Sequence, residues 1–320
     1  MLLSVHELSV RFKTHRGVVP AVDRVCFSLQ PGKTLCIVGE SGCGKSVTAL
    51  AVLRLLPKKN TEVSGSVVFD GREILSTDER SIRAIRGNQI GMIFQEPMTS
   101  LNPVITVGDQ VAESLREHRP GIGRRECRDR VVDLFESVGI SSETIADYPH
   151  ELSGGMRQRV MIAMALACSP RLIIADEPTT ALDVTIQAQI LELLRRLQSQ
   201  LHMSVILITH DLGIVSEMAD EVLVMYAGRV VERASRNRLF EKPLHPYTIG
   251  LMACLPESHA PGTRMTGIPG AVPSPYRLPR GCYFQDRCAR VTPHCRETDP
   301  PLEDKQDNHQ VRCVEVSSCS

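Results

Sequence analysis

The sequence carries no surplus charge of either sign, with Lys+Arg and Asp+Glu at 37 each over 320 residues. That removes the global basic field that drives nucleic-acid binding and leaves only local patches. Also missing is an apolar run near the roughly 18 residues that a spanning helix needs. The nearest approach, Val160 to Cys168, is about half as long. The opening Met1-Leu2-Leu3-Ser4-Val5-His6-Glu7 lacks the charged-then-apolar order of a secretory signal. A cytosolic chain is therefore expected, any membrane role falling to partners. No Cys-x2-Cys pair occurs among the eleven cysteines, so the commonest zinc spacing is absent. Disulfides belong to small secreted domains, and reduced thiols are the default here.

What the sequence does have begins at Gly39. Thr34-Leu35-Cys36-Ile37-Val38 is an apolar run, Gly39-Glu40-Ser41-Gly42-Cys43-Gly44-Lys45-Ser46 follows it, and Val47 to Leu56 is helix-like. Strand, glycine loop and helix in that order form a phosphate cradle. Gly39, Gly42 and Gly44 let backbone N–H groups approach an anion, Lys45 reaches the β- and γ-phosphates, and the Ser46 hydroxyl suits Mg²⁺.

Before the loop, residues 5–30 alternate like a strand pair around a polar turn at Thr14 to Gly17. Phe12, taken alone, reads as a core residue of an edge strand. After the loop, residues 64–94 again read as strands, with an Asp-Gly turn at Asp70-Gly71 and an apolar run from Ile90 to Phe94. Gln95 stands at the tip of that run, where it can orient a water or complete a Mg²⁺ shell. Helical segments over Val107 to Arg119 and Arg124 to Val138 form an insertion, with Val131, Val132, Leu134, Phe135 and Val138 as a packing face.

Leu152-Ser153-Gly154-Gly155-Met156 precedes a helix over Arg157 to Ser169 and is a second anion-binding construction, offering free N–H groups, a positive dipole end and a hydroxyl. Arg171 to Glu177 is a buried-type strand that ends in two carboxylates. Asp176 suits the water shell of Mg²⁺ and Glu177 suits polarising an attacking water. Ala181-Leu182-Asp183, a helix from about Ile186 to Leu201 and a strand over Ser204 to Thr209 follow, the last ending at His210, which is placed to meet a γ-phosphate. Beyond Glu221 to Val231 the composition changes, with eleven of the 20 prolines lying from Pro243 to Pro301. A boundary near residue 235 is expected, the tail being extended and turn-rich rather than another layer of sheet.

These residues resemble the ATP-binding subunits of ABC transporters, over essentially the whole chain. The motifs run in family order: Walker A at Gly39–Ser46, Q-loop Gln95, signature Leu152–Met156, Walker B Leu172–Asp176 with Glu177, D-loop Ala181–Asp183, H-loop His210, and Phe12 at the adenine-stacking position. One departure is Met156, where the family most often has Gln. The resemblance implies an α/β P-loop ATPase with an antiparallel β portion, occupying residues 1–235, with a helical subdomain at about 96–170. It implies ATP held by Phe12, Gly39, Ser41, Gly42, Cys43, Gly44, Lys45, Ser46 and Val47, with Ser153, Gly154 and Gly155 covering a partner's ATP. Mg²⁺ is expected at Ser46, Gln95 and Asp176, and catalysis at Glu177, His210, Lys45 and Gln95.

Gln95-Glu96-Pro97-Met98-Thr99-Ser100-Leu101-Asn102-Pro103, His245-Pro246-Tyr247-Thr248, Ile268-Pro269-Gly270, Gly281-Cys282 and Arg287-Cys288 are similar to the dipeptide/oligopeptide (and nickel) importer branch. That branch implies a heterodimer with a second, homologous ATPase subunit, two permease subunits, an external solute-binding protein and a peripheral place on the cytoplasmic face of the inner membrane. Nucleic acid is not an expected partner. An ABC-type protein working on DNA or ribosomes is the competing class, but such chains usually carry two ATPase domains, coiled-coil insertions or basic segments. A soluble P-loop kinase or GTPase would leave the signature helix without a purpose.

The Cys-rich C-terminal extension, residues 236–320, has one more feature. Cys26, Cys36, Cys43, Cys127, Cys168 and Cys254 are scattered and read as small fillers, whereas Cys282, Cys288, Cys295 and Cys313 crowd into one short segment. Four thiolates suit Zn²⁺ or an iron–sulfur cluster, and spacing does not choose between them. Resemblance to the importer branch implies [4Fe–4S], with Cys319 as an alternative ligand and His294 and His309 as bystanders.

Overall fold

The computed structural model describes residues 1–180, 182–255, 267–306 and 308–316. Ala181 and Cys319 lie outside that set. The chain divides into two compact units, one of Met1–Leu29, Thr34–Leu75 and Thr209–Ser320, the other of Gln30–Lys33 and Ser76–Ile208.

The first unit opens with β1 (Leu3–Thr14) and β2 (Gly17–Leu29), an antiparallel hairpin that runs from Leu3 opposite Leu29 to Thr14 opposite Gly17, with register shifts between Val5 and Arg11. The chain then enters β3 (Thr34–Val38), buried at every residue, and α1 (Lys45–Val52). β4 (Thr61–Phe69) returns antiparallel to β1 and β5 (Arg72–Glu73) closes a four-stranded sheet of order β2-β1-β4-β5. Val5, Leu8, Val10, Val25, Val67 and Phe69 are buried in this sheet. Leu8, Val10 and Val25 are among the alternating apolar positions that make residues 5–30 legible as strands.

The second unit holds α2 (Glu79–Ile85), β6 (Ile90–Ile93), α3 (Pro97–Ser100), α4 (Val107–His118), α5 (Arg124–Ser137), α6 (Gly154–Leu166), β7 (Leu172–Asp176), α7 (Val184–Leu201) and β8 (Ser204–Thr209). β6, β7 and β8 are parallel, with β7 between the other two. Residues 64–94 are not all strand: α2 interrupts them. Asp78 caps that helix by accepting from the Ser81 amide at 2.9 Å, and Ile82 and Ile85 are buried on one face three residues apart. In α5, Val131 and Phe135 are buried, with Val138 at its C-terminal cap, and Val132 and Leu134 are half-buried. α4, α5 and α6 pack on one another.

The first unit resumes with α8 (Leu212–Met218), β9 (Glu221–Tyr226), β10 (Arg229–Ser235), α9 (Arg236–Glu241), α10 (Pro246–Ala253), α11 (Pro293–Glu297), β11 (Glu303–Gln306) and β12 (His309–Val311). β3 is parallel to β9, β10 is antiparallel to β9, and β12 pairs antiparallel with β10, Glu232 opposite Val311. The proline-rich tail thus differs from the turn-rich segment expected: its described residues build three helices and add two strands to the sheet. The added pairing is bought by a buried carboxylate. Glu232 is fully buried and accepts from the Leu244 and His245 amides at 2.7 and 2.9 Å and meets His309 Nε2 at 2.7 Å. Three well-formed partners are what a carboxylate needs to be tolerated without water.

Candidate functional site

The phosphate loop belongs to the first unit. β3 ends at Val38, and Gly39 to Gly44 turn the chain into α1. Gly44, the cap of α1, has φ +101, and a Cβ there would stand 2.5 Å from the Ala21 carbonyl oxygen. Only glycine fits. Ser41 and Gly42 are exposed on the loop, whereas Ser46 and Val47 are half-buried in the first turn of α1. Lys45 is 4% exposed. Its Nζ donates to the carbonyls of Gly39 at 2.7 Å and Glu40 at 3.1 Å, which folds the cation back over the loop. Burial pushes the Cys43 thiol up, so it stays protonated beside that cation. The loop is a cup of amides with a positive charge on its rim, the chemistry of a polyphosphate site.

The carboxylates lie in the second unit. Asp176 ends β7 and is 5% exposed. Glu177 follows in the left-handed region, φ +47, and its amide donates to the Ile208 carbonyl at 3.0 Å. A bulky side chain rarely sits there. The turn takes Glu177 out of the extended geometry of β7 that Asp176 still shares. The Glu177 carboxylate accepts from Gln95 Nε2 at 3.2 Å and from Thr180 Oγ1 at 3.0 Å. Gln95 and Glu177, 82 positions apart, are therefore brought together. Thr180 was not singled out from the sequence, although its place three residues after Glu177 fits a turn-closing hydroxyl.

Ser153 caps α6, its hydroxyl accepting from the Met156 amide at 3.3 Å. Gly154 and Gly155 form the first turn, and Ser153 is exposed. Met156 contributes a backbone donor here, which a glutamine would contribute equally. In the first unit, His210 is exposed, and Asp211 caps α8 by accepting from Gly213 N at 2.7 Å. Phe12 is half-buried on β1, opposite Val19 and Thr61.

The four tail cysteines converge. Cys282, Cys288, Cys295 and Cys313 line one small pocket, with Phe284 and His245 among its walls. The Arg290 amide donates to Cys288 Sγ at 3.4 Å, and the Cys282 amide donates to the Cys295 carbonyl at 2.9 Å. Burial, aided by the neighbouring thiols, pushes Cys282 up to about 11, and burial raises Cys288 and Cys313 as well. Among the described residues no group of three or more His, Cys, Asp or Glu is arranged so that it could hold a metal ion. His294 and His309 are engaged elsewhere, the one with Thr298 and the other with Glu232.

Residues 22–180 match the family profile described as ABC transporter, and residues 231–295 match that of the oligopeptide/dipeptide transporter C-terminal region. A putative peptide import ATP-binding protein of Brucella ovis is 48% identical over 98% of this chain and 96% of its own length. Another, of Brucella abortus, is 50% identical over 93% and 90%. Among solved structures, the ATP-binding cassette MJ0796, dimeric in a post-hydrolysis state with ADP and Pi, aligns with TM-score 0.67 and 27% identity over 73% of this chain and 99% of its own. The protein cbiO1 of Clostridium perfringens, part of the ABC transporter complex cbiONQ, aligns with TM-score 0.64 and 29% identity over 75% of this chain and 91% of its own. With a phosphate loop, a strand-end carboxylate pair and a serine-capped signature helix all in place, the chain belongs to the ATP-binding subunits of the ABC transporter family, in the group that carries the oligopeptide/dipeptide transporter C-terminal region.

Proposed function

We propose that this chain hydrolyses ATP to power import of di- or oligopeptides, or a related small solute, through a membrane ABC transporter. The observation that carries the reading is the union, on one chain, of an ABC ATPase and the oligopeptide/dipeptide transporter C-terminal region. Gly39 to Val47 hold the triphosphate, Lys45 offsets the charge that develops in transfer, and Phe12 stacks on the adenine. Mg²⁺ would be held by Ser46, Asp176 and Gln95, and it supplies charge neutralisation at the phosphates. Glu177 orients or deprotonates the attacking water, and His210 contacts the γ-phosphate.

The ATP site of one chain is half a site. Ser153, Gly154 and Gly155 cover the ATP of a homologous partner, whose own signature covers Gly39–Ser46. The dimeric state of MJ0796 supports that pairing. Two permease subunits and an external solute-binding protein complete the machine. The chain sits peripherally on the cytoplasmic face of the inner membrane, in keeping with the lack of a spanning helix among the described residues.

Cys282, Cys288, Cys295 and Cys313 would hold a [4Fe–4S] cluster, with Zn²⁺ as the alternative. Four thiols lining one pocket support such a centre, which when bound would staple the tail together.

The test is Glu177→Gln in the assembled complex. The variant should bind ATP, hydrolyse it at least about a hundredfold more slowly and abolish uptake of labelled peptides into cells. Retained turnover removes Glu177 from the role given to it. Co-purification of ribosomes or nucleic acid in place of permease subunits would overturn the importer reading itself.

A further inference from the structure

The geometry points to Arg287, in the C-terminal extension, as a positioning residue for the ATP-binding loop, acting through Glu40. The inference rests on the reading that Gly39–Ser46 holds the phosphates of ATP. Glu40 is the second residue of that loop, and the extension grips it twice. Arg287 Nη1 and Nη2 donate to the two carboxylate oxygens of Glu40 at 2.6 and 3.0 Å, a fork-on-fork pair. The Glu40 amide donates to Tyr247 Oη at 2.9 Å.

Both gripping side chains are fixed by their own surroundings. Arg287 has a side chain only 4% exposed, and its Nε and Nη2 also donate to the carbonyls of Pro269 at 2.9 Å and Ile268 at 3.3 Å. Tyr247 is fully buried, its ring 4.7 Å from that of Tyr226 and 5.4 Å from that of Phe284. The guanidinium therefore has a single place to be, and that place holds a carboxylate.

A carboxylate within a polyphosphate loop is an electrostatic liability, since it repels the ligand and competes for Lys45. Lys45 Nζ lies against the carbonyl of the same residue, 3.1 Å from Glu40 O. Pairing with Arg287 neutralises Glu40 and draws its side chain to the extension, while Tyr247 takes up its amide. The remaining loop amides and Lys45 are left in a fixed cup. Arg287 thus sets the affinity of the loop for ATP without touching the nucleotide.

The experiment compares Arg287→Met with the double variant Arg287→Met/Glu40→Gln in the full chain, using a fluorescent ATP analogue, and in the assembled complex by steady-state hydrolysis. Arg287→Met exposes the Glu40 charge and should weaken ATP about tenfold, the loss falling on KM rather than kcat. Removing that charge as well should restore affinity to within about threefold of the native chain. A general loosening of the extension would not be repaired by a second substitution in the loop. Unchanged affinity in Arg287→Met, or a double variant as weak as the single one, overturns the inference. Arg287→Lys keeps the charge without the fork and should weaken ATP about threefold; it serves where the methionine variant does not accumulate, and an unchanged KM there overturns the inference equally. Lys45→Ala separates the two levels, because retained binding in that variant refutes the loop as the ATP site and not Arg287 alone.

Discussion

Two glycines two positions apart in the same loop should respond very differently to one added methyl group. Gly42 has φ +78 with nothing within 4 Å of an added Cβ, whereas Gly44 has φ +101 with the Ala21 carbonyl oxygen 2.5 Å away. Alanine at either position meets the left-handed penalty of roughly 1–2 kcal/mol, offset by about 0.5–1 kcal/mol from the narrower unfolded ensemble. Gly42→Ala should therefore cost about 1 kcal/mol. At Gly44 the new methyl overlaps backbone, which has no rotamer to escape into. Displacing the strand that carries Ala21 adds about 1–3 kcal/mol, as overpacking does elsewhere. Gly44→Ala should thus cost about 2–4 kcal/mol in total. For a domain of this size, each kcal/mol moves the thermal midpoint by about 2–4 °C. Melting of the full chain, with ATP binding measured alongside, reads both effects. Equal losses at the two positions, or a larger loss at Gly42, would refute the steric argument.

Other outcomes follow from single contacts. Ser153→Ala removes the cap of α6 and should destabilise by about 1 kcal/mol while slowing hydrolysis at the partner's site; Ser153→Asn, which restores a cap acceptor, should recover stability. Burial holds His245 down to about 4 from the ordinary 6.5, and its Nδ1 accepts from the Tyr247 amide at 3.0 Å. The unfolded chain takes that proton first, so this contribution is constant above about pH 7 and is lost as pH falls from about 6.5 to about 4, roughly 3 kcal/mol in all. Denaturation midpoints for His245→Asn should lose that slope, and an unchanged slope would assign it to other groups. Cys282→Ser, in protein purified without oxygen, should lower bound iron and the visible charge-transfer absorption together; one zinc per chain and no iron in the native protein would dismiss the cluster.

The features readable in the sequence are those whose chemistry is local. The cup from Gly39 to Ser46 needs neighbours along the chain, and Glu177 was visible because an apolar strand delivered it. The alternation of Leu8, Val10 and Phe12 announced β1 for the same reason. α2 was missed because its seven residues hold only Ile82 and Ile85 as apolar anchors, too few to show a period. The strands of the tail were missed because β12 has three residues and derives its place from Glu232, 77 positions earlier. Arg287 and Glu40, 247 positions apart, could be paired only by the fold. Nothing in either residue's neighbourhood marks it for the other.

The docking of β12 on β10 has a consequence for synthesis. A ribosome makes the sheet's outer strand long before it makes the three residues that cover it. During that interval the nascent chain displays an open strand edge and a carboxylate at Glu232 without its histidine, the combination that recruits unwanted strands from other chains. His309–Val311 therefore act as a closing stitch: a message cut short near codon 300 would yield a protein whose ATP loop is fully encoded and whose hem is undone.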